Sequence, residues 1–279
     1  MPGRIWFITG CSSGFGRQIA RKVVACGDVA VATVKTDDQV ASLAAELGDR
    51  ALVVPLDLTQ PETISKAVAD AEAHFGRVDV LVNNGGYAYF SAVEEGEEDE
   101  VRRQFETNVF GVFSVTRQIL PGMRARRSGH IVNFSSIGGL MAFPALAFYH
   151  ATKFAIEGYS EALSLEVAPL GIKVTIVEPG RFRTEFSGTS MVESKTWIDD
   201  YAGTAGARRK QLRAVSGTQP GDPARAADAI VAAVDAKEPP LRLLLGPDAY
   251  QLALGRLEAL RQNFVTWKDL TESTDFAKA

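Results

Sequence analysis

Short, nearly continuous apolar runs recur along the chain, and each is followed by a longer stretch in which apolar residues return every three or four positions. The runs fall at 4–9, 29–34, 51–56, 78–83, 130–135, 173–178 and 241–245, and the amphipathic stretches at 14–26, 38–47, 61–75, 99–120, 146–169 and 223–236. A run that is apolar at every position is a strand buried on both faces, and a stretch with a period near 3.6 is a helix that covers one of them. Strand alternating with helix predicts an α/β fold: a doubly wound, mostly parallel sheet of seven strands with helices on both faces. No internal repeat and no low-complexity linker interrupts the alternation, so one domain over 1–279 is expected.

Three stretches depart from the rhythm. Residues 184–222 are rich in Gly, Ser, Thr and charge and show no strand pattern; long connections of this kind are often lids, and a substrate-binding lid is expected over 185–215. Residues 247–279 read as a helix, 248–262, and a tail. The acidic run Glu-Glu-Gly-Glu-Glu-Asp-Glu at 94–100 stands before a helix, where negative charge suits the helix dipole.

Composition narrows the classes. The 279 residues are 46% hydrophobic and 23% charged, as in a soluble protein with a sizeable core, and the net charge of −4 argues against nucleic-acid and anionic-membrane partners. The basic clusters 124–127 and 208–210 are short and read as solvated surface. No run approaches the roughly 18 apolar residues of a membrane span. Two cysteines, Cys11 and Cys26, cannot build a disulfide framework and fit a reduced, cytoplasmic setting. The three histidines, His74, His130 and His150, have no ligand spacing, so no metal site is expected.

Chemistry enters with Thr-Gly-Cys-Ser-Ser-Gly-Phe-Gly at 9–16, directly after the first strand and at the start of the first helix. Glycines there let the backbone approach a pyrophosphate, and the helix start offers free N–H groups. Methyltransferases and flavoproteins share that architecture, so the loop alone leaves the ligand open. At the end of the second strand, the position of an NAD-binding carboxylate is taken by Val34, and Lys35 follows. This favours NADP(H), because a basic residue accommodates a 2′-phosphate. Asp37 and Asp38 keep NAD(H) as the rival, although they also suit the cap of the next helix.

Within Phe-Tyr-His-Ala-Thr-Lys-Phe-Ala-Ile-Glu-Gly-Tyr, 148–159, Tyr149 and Lys153 lie four apart and head a face that continues through Ile156, Ser160, Leu163 and Val167. Asn-Asn-Gly-Gly at 83–86, Thr-Asn-Val-Phe-Gly at 107–111 and Ile-Val-Asn-Phe-Ser-Ser at 131–136 complete a set, with Ser136 thirteen residues before Tyr149. Together these motifs resemble the short-chain dehydrogenase/reductase family in its single-domain subgroup, over 4–184. The resemblance implies a Rossmann-type fold and a catalytic set of Asn108, Ser136, Tyr149 and Lys153. It implies cofactor contacts at Gly10, Ser12, Ser13, Gly14, Phe15 and Gly16. Further contacts fall at Lys35, Asp57, Leu58, Asn83, Gly85, Tyr149, Lys153, Pro179, Gly180 and Thr184. Gly85 stands where the family usually has alanine, which either loosens the turn or makes room for a neighbour.

A lysine ammonium one turn from a tyrosine is expected to lower the phenol pKa, making it a proton shuttle. Ser136 would donate to the developing oxyanion, and Asn108 would hold a water that links Lys153 to solvent. Aromatic and apolar residues at Tyr87, Tyr89, Phe90, Leu140, Met141, Phe143 and Phe182 suggest a pocket for a hydrophobic ketone or secondary alcohol. Arg181 and Arg183 leave an acidic substrate open. The opposite side of the same helix carries Ala147, Ala151, Phe154, Gly158, Ala162 and Leu165, small and apolar, and predicts a homodimer or homotetramer. The leading expectation is an NADP(H)-dependent carbonyl reductase or alcohol dehydrogenase; its rivals are an NAD-dependent alcohol dehydrogenase and a catalytically silent dinucleotide-binding sensor.

Overall fold

The computed structural model describes residues 3–188 and 191–276. Residues 189 and 190 of the expected lid, and 1, 2 and 277–279 at the ends, lie outside the described residues. Seven parallel strands form the central sheet: β1 (Ile5–Ile8), β2 (Val29–Val34), β3 (Ala51–Pro55), β4 (Val80–Asn83), β5 (Gly129–Phe134), β6 (Ile172–Pro179) and β7 (Arg242–Leu245). Their spatial order is β3-β2-β1-β4-β5-β6-β7, so the winding reverses between β1 and β4. Ligands of doubly wound sheets bind at such a reversal, outside the carboxyl ends of the strands.

Side-chain alternation builds two cores from the same strands. Trp6, Ile8, Val80, Val82 and Val132 face one layer, with α1 (Gly14–Ala25), α2 (Asp37–Leu47) and α8 (Pro223–Asp235). Ile5, Phe7, Leu81 and Ile131 face the other, with α3 (Pro61–Phe75), α5 (Gly111–Arg126) and α6 (Ala147–Val167). Register is direct: Phe7 lies opposite Val31 on one side and Leu81 on the other.

Three differences from the sequence pattern have physical causes. The helix expected to stop at 120 is α4 (Glu98–Phe105), a π turn (Glu106–Phe110) and α5, which continues past Pro121 to Arg126. Beyond the proline, burial of Met123 and a bond from Arg126 to the Val78 carbonyl (2.6 Å) hold the last turn. The polar segment carries regular structure among its described residues: Val192–Glu193 pairs with Tyr89–Phe90 as a short parallel ribbon, and α7 (Ala207–Ala214) follows. The C-terminal segment is helical as far as Glu272, as α9 (Pro247–Thr266) and α10 (Lys268–Glu272), and no described helix is long and apolar enough to cross a membrane.

Candidate active site

The loop between β1 and α1 turns on Gly10 and Gly14, whose φ values of 73° and 55° are left-handed. A side chain on Gly10 would come within 2.7 Å of the Gly85 Cα, and one on Gly16 would strike the Gly10 carbonyl. The loop is thus packed backbone against backbone. Ser13 caps α1 without a side-chain bond, and the first turn holds no acid. Its N–H groups therefore stay available for an anion, as a pyrophosphate requires. Phe15 lies between Phe134 and Phe182, with ring centroids at 5.4 and 5.1 Å. The Ser12 carbonyl accepts from Arg17 (3.3 Å), and Thr184 stands 3.5 Å from where a Gly14 side chain would be. Gly180, directly after Pro179 at the end of β6, donates its N–H to the Leu245 carbonyl (2.9 Å). Cys11, in this loop, is buried, and burial pushes its thiol up to about 12.

Asn84, which the motif reading passed over, holds the loop in place. Its Nδ2 donates to the carbonyls of Thr9 (2.9 Å) and Gly10 (3.0 Å), while Thr9 Oγ1 accepts from the N–H groups of Asn84 and Gly85. The Asn83 side chain turns instead into the sheet, donating to Thr116 Oγ1 (3.0 Å) and Asn133 Oδ1 (2.8 Å). Asn133 donates in turn to Ser160 Oγ (2.8 Å), which explains the hydroxyl in the apolar face of α6. Gly85 makes room for a neighbour: an added methyl would stand 2.7 Å from Leu58 Cδ1.

At the end of β2, the Lys35 ammonium lies 3.0 Å from Asp57 Oδ2 and is half exposed. Burial works to raise the Asp57 carboxyl, but bonds from the Thr59 N–H and hydroxyl and from Lys35 hold it below its ordinary value. Thr36, accepting from the Gln39 N–H (3.4 Å), is the cap of α2, and Asp37 and Asp38 occupy its first turn.

Tyr149 and Lys153 share the buried face of α6. Lys153 Nζ donates to the Phe134 carbonyl at 2.8 Å and stands 5.6 Å from the centroid of the Tyr149 ring. Ser136, whose Oγ accepts from the Gly138 N–H (3.0 Å), places its hydroxyl beside the Tyr149 phenol; Ser135 is buried elsewhere. The expected lowering of the phenol pKa is corrected: burial pushes Tyr149 up to about 12, opposed by Ser136. Burial likewise brings Lys153 down to about 8, opposed by the charge of Glu157. Both groups sit where water cannot solvate their charged forms, and desolvation is the leading cause of both shifts. Asn108 is engaged with protein groups through its side chain. Asn108 Oδ1 accepts from the Tyr87 N–H (3.1 Å), and Nδ2 donates to the Tyr87 carbonyl (2.8 Å) and Thr152 Oγ1 (3.2 Å). The side chain ties the strand-end loop to α6.

One turn beyond Lys153, buried Glu157 meets buried Glu178 of β6, and Arg242 bonds both. Burial and the Glu157 charge push Glu178 up to about 7. No pattern marked this pair, because Glu178 sits in an apolar run and its partners are distant in sequence.

The wall over Tyr149 consists of Ala88, Phe90, Leu146 and Leu212, with Phe186 and Met191 against them. The Phe186 ring centroid is 5.3 Å from that of Tyr149. Phe186, Met191 and Leu212 come from the polar segment and were missed; their signal was isolated apolar residues in polar surroundings. Of the expected pocket residues, Tyr89 is fully buried and bonds through its hydroxyl to Glu97, which walls it off from a substrate. Leu140, Met141 and Phe143 pack with Ile137, Ala249 and Ala253 under α9. Phe182 lines a cavity of about 820 Å³ near the start of α8. Tyr87 lies beside the site, held through its backbone by Asn108. His150 accepts from the Phe143 N–H (3.3 Å), and burial brings its imidazole down to about 4.

The acidic run does more than complement a dipole. Glu95 forms a buried ion pair with Arg209 (2.6 Å) and accepts from the Ile198 N–H (2.9 Å). Glu97 accepts from Ser194 Oγ and the Lys195 N–H, both at 3.0 Å, and Glu94 from the Tyr201 hydroxyl (2.8 Å). These carboxylates fasten the polar segment over the cleft.

A parallel sheet wound about a glycine loop, with a buried tyrosine and lysine at its carboxyl edge, is the architecture of a dinucleotide-dependent oxidoreductase. Residues 4–194 match the model of the short chain dehydrogenase family, so the chain belongs to that family and is an oxidoreductase. It is 40% identical over 269 residues to "Oxidoreductase BOA17" of Botryotinia fuckeliana, covering 96% of this chain and 98% of that protein. The solved structure of a short-chain dehydrogenase from Streptomyces avermitilis superposes with a TM-score of 0.91 at 44% identity, over 98% of this chain and 100% of the other. A serine dehydrogenase complexed with NADP+ superposes with a TM-score of 0.76 at 27% identity, covering 87% of this chain and 94% of its own.

Proposed function

We propose that the chain is an NADP(H)-dependent carbonyl reductase of hydrophobic ketones, able to run as an alcohol dehydrogenase in reverse. The observation that carries this is the placement of Tyr149 beside Ser136 and one turn from Lys153, under an apolar wall. The backbone cradle around Gly10 and Gly16, closed to any side chain, fits a pyrophosphate. A nicotinamide dinucleotide is supported by the NADP+ held in the related serine dehydrogenase. Gly10, Ser12, Ser13, Gly14, Phe15, Gly16 and Thr184 would hold its phosphate and nicotinamide side, and Leu58, Asp57 and Lys35 its adenosine side. When bound, it supplies or accepts the hydride.

The chain's own residues handle the proton. Tyr149 donates its phenolic proton to the carbonyl oxygen, and the Ser136 hydroxyl donates to the same oxygen as charge develops. Lys153, anchored on Phe134, returns a proton toward Tyr149. Lys35 supports NADP(H) over NAD(H): its exposed pair with Asp57 is weak, so a 2′-phosphate can recruit the ammonium. The exposed stripe Ala151, Phe154, Gly158, Ala162 and Leu165 of α6 supports a homodimer or homotetramer.

The test is a panel of apolar ketones and secondary alcohols with NADPH and NADH. Turnover of apolar ketones with NADPH is the expected result; turnover of none of them with either cofactor overturns the proposal.

A further inference from the structure

The sequence raised Arg181 and Arg183 for an acidic substrate, and both are engaged. Arg183 donates through Nε and a terminal nitrogen to the Gln219 carbonyl (3.3 and 3.2 Å), and Arg181 pairs with Asp248 (3.2 Å). Arg208, counted above as solvated surface, is the exception. It lies in the first turn of α7, with its guanidinium 5.2 Å from the centroid of the Phe143 ring and one bond to Gln211 Oε1 (2.8 Å). Its Nε is buried without a hydrogen-bond partner among the described residues. No described carboxylate compensates its charge; burial and the facing charge of Arg181 both disfavour that charge. The next residue shows what a satisfied arginine looks like here: Arg209 is 3% exposed and paired with Glu95.

The position of Arg208 relative to the chemistry follows from α7 itself. Leu212, one turn on, belongs to the apolar wall over Tyr149 with Phe186 and Met191. At the other end of that face, Phe143 under Arg208 is tied to His150, the neighbour of Tyr149. The imidazole brings no negative charge, and the Arg209–Glu95 pair fixes the helix that carries both residues. One helix face therefore presents an apolar wall at the reaction centre and, one turn or about 6 Å of backbone rise away, an arginine with an uncompensated charge. Leaving a half-buried arginine without an anion is costly, and a carboxylate matches its planar fork.

We propose that Arg208 forms a subsite for the carboxylate of an oxo acid whose apolar chain lies against Leu212 and Phe186 and whose ketone reaches Tyr149. This rests on the reductase reading and narrows its substrate class to hydrophobic oxo acids. The test compares a medium-chain oxo acid with its methyl ester, with NADPH, in the wild type, Arg208→Ala and Arg208→Lys. The wild type is expected to favour the acid. In Arg208→Ala the acid-to-ester ratio of kcat/KM falls about 10–100-fold, through KM rather than kcat, the range for losing a charged hydrogen bond. Arg208→Lys restores part of the ratio, and added salt lowers it in the wild type. An unchanged ratio in Arg208→Ala, or a wild type that does not favour the acid, overturns the subsite. Turnover of the ester by the wild type keeps the reductase reading intact in that case. Should the wild type turn over neither compound, calorimetric titration decides: weaker binding of the acid to Arg208→Ala supports the subsite, and equal affinity for acid and ester overturns it.

Discussion

Lys153 is anchored to a strand rather than to the tyrosine it accompanies: its Nζ donates to the Phe134 carbonyl at 2.8 Å and lies 5.6 Å from the Tyr149 ring centroid. This fixes the ammonium without consuming the phenol. With Lys153 brought down to about 8 and Tyr149 pushed up to about 12, the lysine loses its proton first as pH rises. Ketone reduction should therefore fall as pH rises through about 8, and Lys153→Met should abolish that limb of the kcat/KM profile. A wild-type rate that stays flat to pH 10 contradicts the relay.

Tyr149→Phe removes the phenolic proton and leaves the ring packed on Phe186. Turnover should drop about 10²–10⁴-fold, the range for a positioned acid. Dinucleotide binding, read by fluorescence titration, should stay within about threefold, because the glycine loop is untouched.

Lys35→Ala should weaken NADPH binding about two- to fivefold and leave NADH nearly unaffected, a modest effect because the ammonium is half exposed. A wild type that binds NADH more tightly than NADPH contradicts the role given to Lys35.

Arg209→Met leaves the Glu95 carboxylate buried without its partner. Such a truncation costs about 3–5 kcal/mol, and urea unfolding should show it. The double variant Glu95→Gln, Arg209→Met should recover much of the loss. Additive losses would mean that the two side chains act independently.

Acid should destabilise the fold through His130 and His150. Burial lowers both imidazoles from an ordinary 6.5 to about 4, so the unfolded chain binds more protons between those values. Stability present above pH 6.5 is lost as pH falls toward 4. Glu178 opposes this: pushed up to about 7, its contribution is present below its ordinary 4.5 and lost as pH rises through 7. Two histidines outweigh one carboxyl, and thermal melts of Glu178→Gln should show a steeper acid loss than the wild type.

The parts legible in the sequence were those with local causes. Alternating apolar runs and amphipathic stretches located the seven strands, and the four-residue step from Tyr149 to Lys153 put both on one buried face. Residues whose partners lie far along the chain were not legible. Asn84 and Asn83 are neighbours of one type, yet one clasps the glycine loop and the other the sheet, a difference set by strand pleat. The acidic run at 94–100 looked like dipole compensation because its partners Arg209, Ser194 and Ile198 are about a hundred positions away. Burial made the phenol pKa unreadable: composition gives a tyrosine near a lysine, and only packing shows that desolvation dominates.

Gly85 has a consequence for how this chain can diverge. A methyl there would fall 2.7 Å from Leu58 Cδ1, the far end of a flexible side chain, so a larger residue at position 85 is admitted once the leucine turns to another rotamer. The two positions are therefore coupled without being locked. A change at the turn that clasps the glycine loop is felt first as a side-chain movement on the adenosine side of the cleft.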